Sequence, residues 1–473
     1  MIAQTLFRGQ APIYHERMLI VKIRPSASEP RAAVANFAKL NTAASPGLAA
    51  LASLEHAGRV KHVTPIARPR KGDEHVALPP RVAMGPLVAS TERVAPEHLS
   101  AGVSVIELER DEDVSGLHTA LANDSSVQFV SRVPIRYLMA GSTIRATAPP
   151  ASTMWNLRKI LWTEARKLPG FSEAADVRLA VLDTGVQIDH PDLVRRVKSY
   201  VYLYPDVPAP SGEQDIIGHG THVSGTIGAI INNDIGINGI CQAELHAWKI
   251  FSDMAQYINA FRGFGYFVEP VMYRRALADC LDAGIQVINL SIGGPGEPDP
   301  QEQQLFDSLL ARGTVVVAAM GNDREAGSPT SYPAAIPGVI AVGATNIDDS
   351  VTTFSNRGDH IAVCAPGKSI WSTLPTYEGQ FGFEAMTGPG GSPSEGRPFR
   401  RETDYDAWDG TSMACPHVAA AAALLLAKRR GLNAVQVRQA LMATADKVPG
   451  MRGREFDSDY GAGRLNLVRL LER

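Results

Sequence analysis

Three polar side chains stand in surroundings that suit nucleophilic catalysis. Asp183 ends the apolar run Ala180-Val181-Leu182, so a carboxylate terminates a segment that reads as a buried strand. His219 lies among small residues in Gly218-His219-Gly220-Thr221-His222-Val223-Ser224-Gly225-Thr226, and Ser412 opens an alanine-rich stretch after Asp409-Gly410-Thr411. A serine hydroxyl is a weak nucleophile at neutral pH and needs an adjacent base. Imidazole takes that proton and returns it to a leaving amine, because it titrates near the working pH. A buried carboxylate fixes the imidazole tautomer and stabilises the imidazolium as it forms. A serine at a helix N-terminus has backbone N–H groups aimed at the oxyanion it generates. Each residue also has a plainer reading. Asp183 alone reads as a strand-end turn residue and Ser412 as an N-cap. His219 with His222 would be half of a metal site with no third ligand in view, and His417 reads as a buried structural histidine. Together, the three residues favour the catalytic reading.

The segments around these positions, in the order Asp, His, Ser, resemble the subtilisin-like serine proteases. The resemblance extends through residues 287–294, 317–322, 332–344, 354–367 and 459–466, and so over most of 155–473. It implies a serine endopeptidase that acylates Ser412 on a peptide carbonyl and then hydrolyses the acyl-enzyme, with no cofactor needed for catalysis. A peptide ligase using the same acyl-enzyme and a catalytically silent peptide-binding module stay open as alternatives. The resemblance makes Asn322 a side-chain oxyanion donor. It makes Ser291, Ile292 and Gly293 an extended segment that pairs with substrate backbone by strand addition. Ala318, Ala319 and Gly321 would line the pocket for the side chain before the scissile bond, with Ser331 near its floor and Asp323 near its rim. Met320 stands where a smaller residue is commoner, which suggests a reshaped pocket. A loop over residues 231–240 resembles a calcium site, with carbonyls of Ile231, Ile235 and Ile237, the Asn233 amide and the Asp192 carboxylate as ligands. Such an all-oxygen set suits calcium, although the loop shape could survive without the ion.

The elements that must position these residues are legible from residue 155 onward. Apolar runs at 179–182, 287–290, 315–319 and 339–342 read as fully buried strands. They alternate with helical stretches at 219–231, 273–283, 301–312, 412–430 and 434–443. The expected class is α/β, a mostly parallel sheet flanked by helices, with its chemistry at the carboxyl ends of the strands. Residues 252–272 and 375–407 look inserted close to the catalytic segments. Before all this, strand-like runs at 18–23, 103–108 and 127–133, and helical ones at 30–40 and 111–122, predict a small α+β unit. Residues 64–99 read as loop and 140–153 as a linker. The expected division is 1–145 and 150–473. The first unit sits where the family's propeptides lie, which implies a folding aid and an inhibitor whose tail enters the active site. An unrelated N-terminal domain is the alternative.

The resemblance implies a protein or peptide substrate as partner, with a separate inhibitor protein as a further option, and composition offers no other. Lys and Arg number 46 against 49 Asp and Glu, net -3, so no basic excess points to nucleic acid. No apolar run is long enough to predict a membrane span, and 412–430 reads as a core helix. Residues 1–10 lack a basic start followed by an apolar stretch, so the expectation is cytoplasmic synthesis without a secretory signal, with non-classical export left open. Four scattered cysteines read as reduced core thiols.

Overall fold

In the computed structural model, residues 12–24, 46–67, 99–138, 154–202, 215–258 and 263–472 are described. The N-terminal unit runs β1 (Tyr14–Ile23), α1 (Pro46–His56), β2 (Val60–Pro65), β3 (Val103–Leu108), α2 (Glu112–Ala122) and β4 (Val127–Pro134). Its sheet is antiparallel in the order β2-β3-β1-β4, a β-α-β-β-α-β arrangement. Residues 18–23 of β1 are apolar except for Lys22, because both sheet faces are covered there. Leu19, Val21 and Ile23 pack with Leu117 and Leu121 of α2, while Ile20 meets Val105, Val133 and Val271 of the following unit. The three expected strands are present. The expected helix 30–40, the linker 140–153 and the 145/150 boundary lie outside the described residues, as does most of the expected loop. Residues 64 and 65 of that loop belong to β2, and α1 escaped notice because its alanines and glycine give little contrast between faces.

A two-residue strand, β5 (Tyr137–Leu138), leaves this unit for the next. There the order is β6 (Arg178–Asp183), β7 (Val197–Tyr202), α3 (His219–Gly228), β8 (Glu244–Lys249), β9 (Gln256–Ile258), β10 (Gly263–Gly265) and α4 (Pro270–Asp282). Next come β11 (Val287–Leu290), β12 (Ile292–Gly293), α5 (Pro300–Ala311), β13 (Val315–Ala319), β14 (Ile340–Thr345) and β15 (Ile361–Pro366). The chain closes with β16 (Ile370–Thr373), β17 (Gln380–Thr387), β18 (Pro393–Arg400), β19 (Tyr405–Trp408), α6 (Thr411–Lys428), α7 (Ala434–Thr444) and α8 (Leu467–Glu472). Seven strands form one parallel sheet in the order β15-β14-β13-β11-β6-β8-β7. Strands β6, β11, β13 and β14 are buried on both faces, which is why their sequences are continuous apolar runs rather than alternating ones.

Two helix ends differ from expectation by three residues, each for a local reason. Helix α4 starts three residues early, because Glu269 caps the Met272 N–H at 2.7 Å and Pro270 fits the first turn. Helix α3 stops at Gly228, where Ala229 turns extended. The two inserted stretches do not form separate loops: they pair as a second, antiparallel sheet in the order β18-β17-β10-β9. Helix α6 is long and apolar enough to cross a membrane by length and composition, yet 89% of it is buried in the fold. It is the core helix. All four cysteines are buried and free.

Candidate active site

The carboxyl ends of β6 and β13 and the N-termini of α3 and α6 meet at one place. Asp183 is the last residue of β6, and its Oδ1 accepts hydrogen bonds from the Thr184 N–H and from His219 Nδ1, both at 2.7 Å. His219 is the first residue of α3. Gly218 precedes it with φ +87°, and a side chain on Gly220 would collide with the Gly185 carbonyl at 2.0 Å. Glycine is therefore required for the helix to approach β6 closely enough for the Asp183–His219 bond. Both side chains are buried, and His219 Nε2 makes no hydrogen bond among the described residues.

Ser412 is the second residue of α6, and a proline shapes its surroundings. Pro416 has no N–H to give to the carbonyl four residues back, which is that of Ser412. That carbonyl accepts from Ser291 Oγ at 2.9 Å, while Ser412 Oγ donates to the Ser291 carbonyl at 2.8 Å. The hydroxyl is thus held on the β12 side rather than on His219. Asn322, just beyond β13, turns its Oδ1 to the Thr411 N–H (3.0 Å) and Oγ1 (2.9 Å). This fixes the amide orientation and directs Nδ2 away from Thr411.

The expected substrate segment already carries a peptide. β5 runs antiparallel on β12, with Leu138 opposite Ile292 and Tyr137 opposite Gly293. Tyr137 meets Phe267 edge-on at 5.6 Å. Ala318 and Ala319 are fully buried on opposite sheet faces. Gly321 has φ +106°, and a Cβ there would lie 3.3 Å from Ser331. Ser331 therefore does neighbour Gly321. Burial raises the Asp323 carboxyl above its usual range, and the Asp323 charge adds to burial in raising the Tyr137 phenol. Met320 turns toward Gly358 and into the core.

Several residues at the site were not singled out from sequence. Buried Asp215 accepts from Thr184 Oγ1 (2.7 Å), Gly218 N–H (2.8 Å), Thr221 N–H (2.9 Å) and Thr221 Oγ1 (2.7 Å). It ties the end of β6 to the first turn of α3, and an acid just before a helix start is the signal that could have revealed it. Lys249, also buried, bonds the Thr184 carbonyl at 2.6 Å and Asp253 at 2.8 Å. The Trp408 indole, anchored on Asp406 at 3.2 Å, stacks on His222 at 5.0 Å and 12°.

The other histidines have structural partners. His222 Nε2 donates to the Ile370 carbonyl at 2.9 Å. His417 bridges the Met413 carbonyl (2.8 Å) and Asn156 (3.0 Å). Burial holds His222 down to about 3, with His219 beside it contributing, and His417 down to about 4. Burial likewise lowers His15 to about 3, helped by Arg274 and Arg136, and His246 to about 4, helped by Arg178 and Lys198. These rings are neutral in both states above pH 6.5. Below it the unfolded chain takes up protons that the folded chain refuses, so stability falls as pH drops from 6.5 toward 4. Each histidine contributes about 1.4 kcal/mol per pH unit to that slope. Asp406, raised to about 6 by burial, and Asp192, Asp323, Glu173 and Glu269, raised by the same cause, act in the opposite direction as their carboxyls protonate, while His190 and His360, lowered by burial, add to the fall. The melting temperature of an inactive Ser412→Ala chain is therefore expected to fall steadily from pH 7 to pH 4. A flat profile would contradict these burials.

At the 231–240 loop, Asp192 and Asn233 lie side by side. Asp192 Oδ1 accepts from Asn233 Nδ2 and Oδ2 from the Ile237 N–H, both at 2.8 Å, with Tyr405 Oη at 3.4 Å from Oδ2. Burial raises the Asp192 carboxyl. Among the described residues no group of three or more His, Cys, Asp or Glu side chains assembles to hold a metal ion. A cation here would depend on carbonyl and amide oxygens besides Asp192.

A family model described as the subtilase family, Peptidase_S8, matches residues 174–463. The chain belongs to the subtilases. Relatives include subtilisin E of Bacillus subtilis (strain 168), 37% identical over 299 residues, covering 62% of this chain and 65% of that protein. A subtilisin of Bacillus pumilus is also 37% identical over 299 residues, covering 62% of this chain and 90% of that protein. This subtilase thus spans slightly under two thirds of the longer relatives. Its fold matches the crystal structure of fervidolysin from Fervidobacterium pennivorans, a keratinolytic enzyme related to subtilisin. The TM-score is 0.64 at 22% identity, covering 99% of this chain and 62% of that one. The large parallel sheet flanked by helices is the subtilisin-like fold.

Proposed function

We propose that this subtilase is a serine endopeptidase working through an acyl-enzyme on Ser412. The observation that carries the reading is the Asp183–His219 pair at the start of α3, which packs on α6 where Ser412 sits, beside a strand, β12, that already holds an extended peptide segment. A substrate laid on β12 brings its carbonyl to Ser412. The hydroxyl leaves the Ser291 carbonyl, gives its proton to His219 Nε2 and attacks. The oxyanion accepts from the Ser412 N–H and Asn322 Nδ2. His219, held by Asp183, then protonates the departing amine, and water resolves the ester by the reverse route. The N-terminal unit acts as a tethered inhibitor through β5, released by a cut within 140–153; tethering lets a weak interaction suffice. Full-length protein is expected to degrade casein and to gain one fluorophosphonate adduct, on Ser412, both lost in His219→Ala. An adduct on another serine, or none with no casein cleavage, would overturn the reading.

A structural calcium fits the 231–240 loop as part of the same proposal. It would take Asn233 through Oδ1, in place of the Nδ2–Asp192 bond, with carbonyls of Ile231, Ile235 and Ile237 and the Asp192 carboxylate. A chelator should lower the melting temperature of the Ser412→Ala chain by several degrees, and millimolar calcium should restore it. A melting temperature indifferent to both would leave Asp192 as a hydrogen-bond acceptor only.

A further inference from the structure

Arg136 lies between β4 and β5, on the stretch by which the N-terminal unit enters the cleft. Its side chain is 2% exposed and is bound entirely by residues of the subtilase unit in the contacts described. Nε and Nη2 donate to the two oxygens of Glu302, itself 1% exposed, at 3.1 and 2.8 Å, and Nη1 donates to the Gly296 carbonyl at 2.7 Å. Glu302, in the first turn of α5, also accepts from Tyr273 Oη at 3.1 Å. The neighbouring cation, Arg274, is paired with Asp299. Two carboxylates and one guanidinium thus belong to the pocket, and Arg136 supplies the balancing charge. When the tail departs, Glu302, Tyr273 and Gly296 remain. A carboxylate left in such a pocket without a counter-charge is costly. A second planar guanidinium can restore both hydrogen bonds at once, which a lysine cannot.

The backbone says where that guanidinium sits along a peptide. Tyr137 and Leu138 face Gly293 and Ile292, and the Val268 N–H grips the Arg136 carbonyl from the other side at 3.3 Å. Continuing a bound peptide by one residue in this register places it opposite Ser291, whose carbonyl is 2.8 Å from Ser412 Oγ. We propose that Glu302 is a specificity-determining residue, its pocket receiving an arginine of the protein substrate three residues before the one whose carbonyl Ser412 attacks. The tail carries Arg136 because it occupies the site a substrate arginine takes. This inference rests on the endopeptidase reading.

Internally quenched peptides differing only at that position, as Arg, Lys, Leu or Glu, are given to the full-length chain. The Arg peptide is expected to exceed the Leu peptide in kcat/KM by about tenfold or more, with Glu poorest. In Glu302→Gln the Arg-to-Leu ratio should approach one. Equal cleavage of Arg and Leu peptides by the wild type overturns the Glu302 assignment and leaves the endopeptidase reading standing. Absence of Ser412-dependent cleavage of every peptide overturns the endopeptidase reading instead. In that case binding decides: the chain carrying Ser412→Ala and Arg136→Ala should bind fluorescent Arg peptide about tenfold or more tightly than Leu peptide. Equal binding refutes the pocket.

Discussion

Peptide-bond cleavage is expected to fall about 10⁶-fold in a Ser412→Ala chain, the factor found for a subtilisin stripped of its nucleophile. The loss is so large because no neighbouring group can replace the hydroxyl. Cys415, one turn further along α6, directs its sulfur to the Leu290 carbonyl, and burial pushes its thiol far up. Ser291 Oγ is committed to the Ser412 carbonyl. The fold should survive. The substitution removes one hydroxyl and leaves the Ser291 carbonyl without one donor, a cost of about 1–3 kcal/mol in a well-packed core. Turnover of a model peptide and a thermal melt together check this. A variant that keeps its fold and retains turnover within tenfold of wild type would remove Ser412 from the chemistry.

Asp183→Asn is expected to lower kcat about 10⁴-fold while KM moves only a few-fold. The carboxylate does two things at one oxygen: it accepts the Thr184 N–H and the His219 Nδ1–H, each at 2.7 Å. An amide can satisfy the backbone donor, so the strand end keeps its shape. It carries no charge to stabilise an imidazolium, and its NH₂ face favours the wrong tautomer. A factor of 10⁴ corresponds to about 5.5 kcal/mol of transition-state stabilisation. Loss of a purely structural hydrogen bond would instead appear as about 1 kcal/mol of fold stability. Kinetics and melting therefore separate the two roles. A loss of kcat below tenfold would leave Asp183 as a strand-end residue.

The catalytic trio was legible because each member follows or opens an element with a strong local signature. Asp183 ends a run of β-branched and aliphatic residues, and Ser412 starts a helix whose alanines announce complete burial. Gly218 and Gly220 flank His219 for steric reasons that the sequence displays directly. What stayed hidden depends on contacts between distant parts of the chain. Asp215 draws its partners from two elements, and Trp408 acquires meaning only once β19 sits beside α3. Arg136 and Glu302 are 166 residues apart, and no local pattern marks either as a partner of the other. The strands of the inserted segments stayed hidden because β9 and β10 are only three residues long and Gly263, Gly265 and Gly382 blur alternation. Glu269 as a helix cap was missed for the same reason, since it lies within one of them.

That second sheet joins residues more than a hundred positions apart: Gly263 faces Glu384, Phe264 faces Phe383 and Gly265 faces Gly382. Neither insert supplies a complete set of backbone partners for itself. Removing β9 and β10 alone would uncover one side of β17 and put Phe383 in water, and removing β17 and β18 alone would do the same to β10 and Phe264. Either shortened chain would present a bare, aromatic strand edge, the kind of surface on which identical molecules stack. The pairs β9–β10 and β17–β18 are therefore one interdependent unit, and a shortened version of this protein must delete both or neither while keeping Glu269–Met272 for α4 and Tyr405–Ala407 for β19.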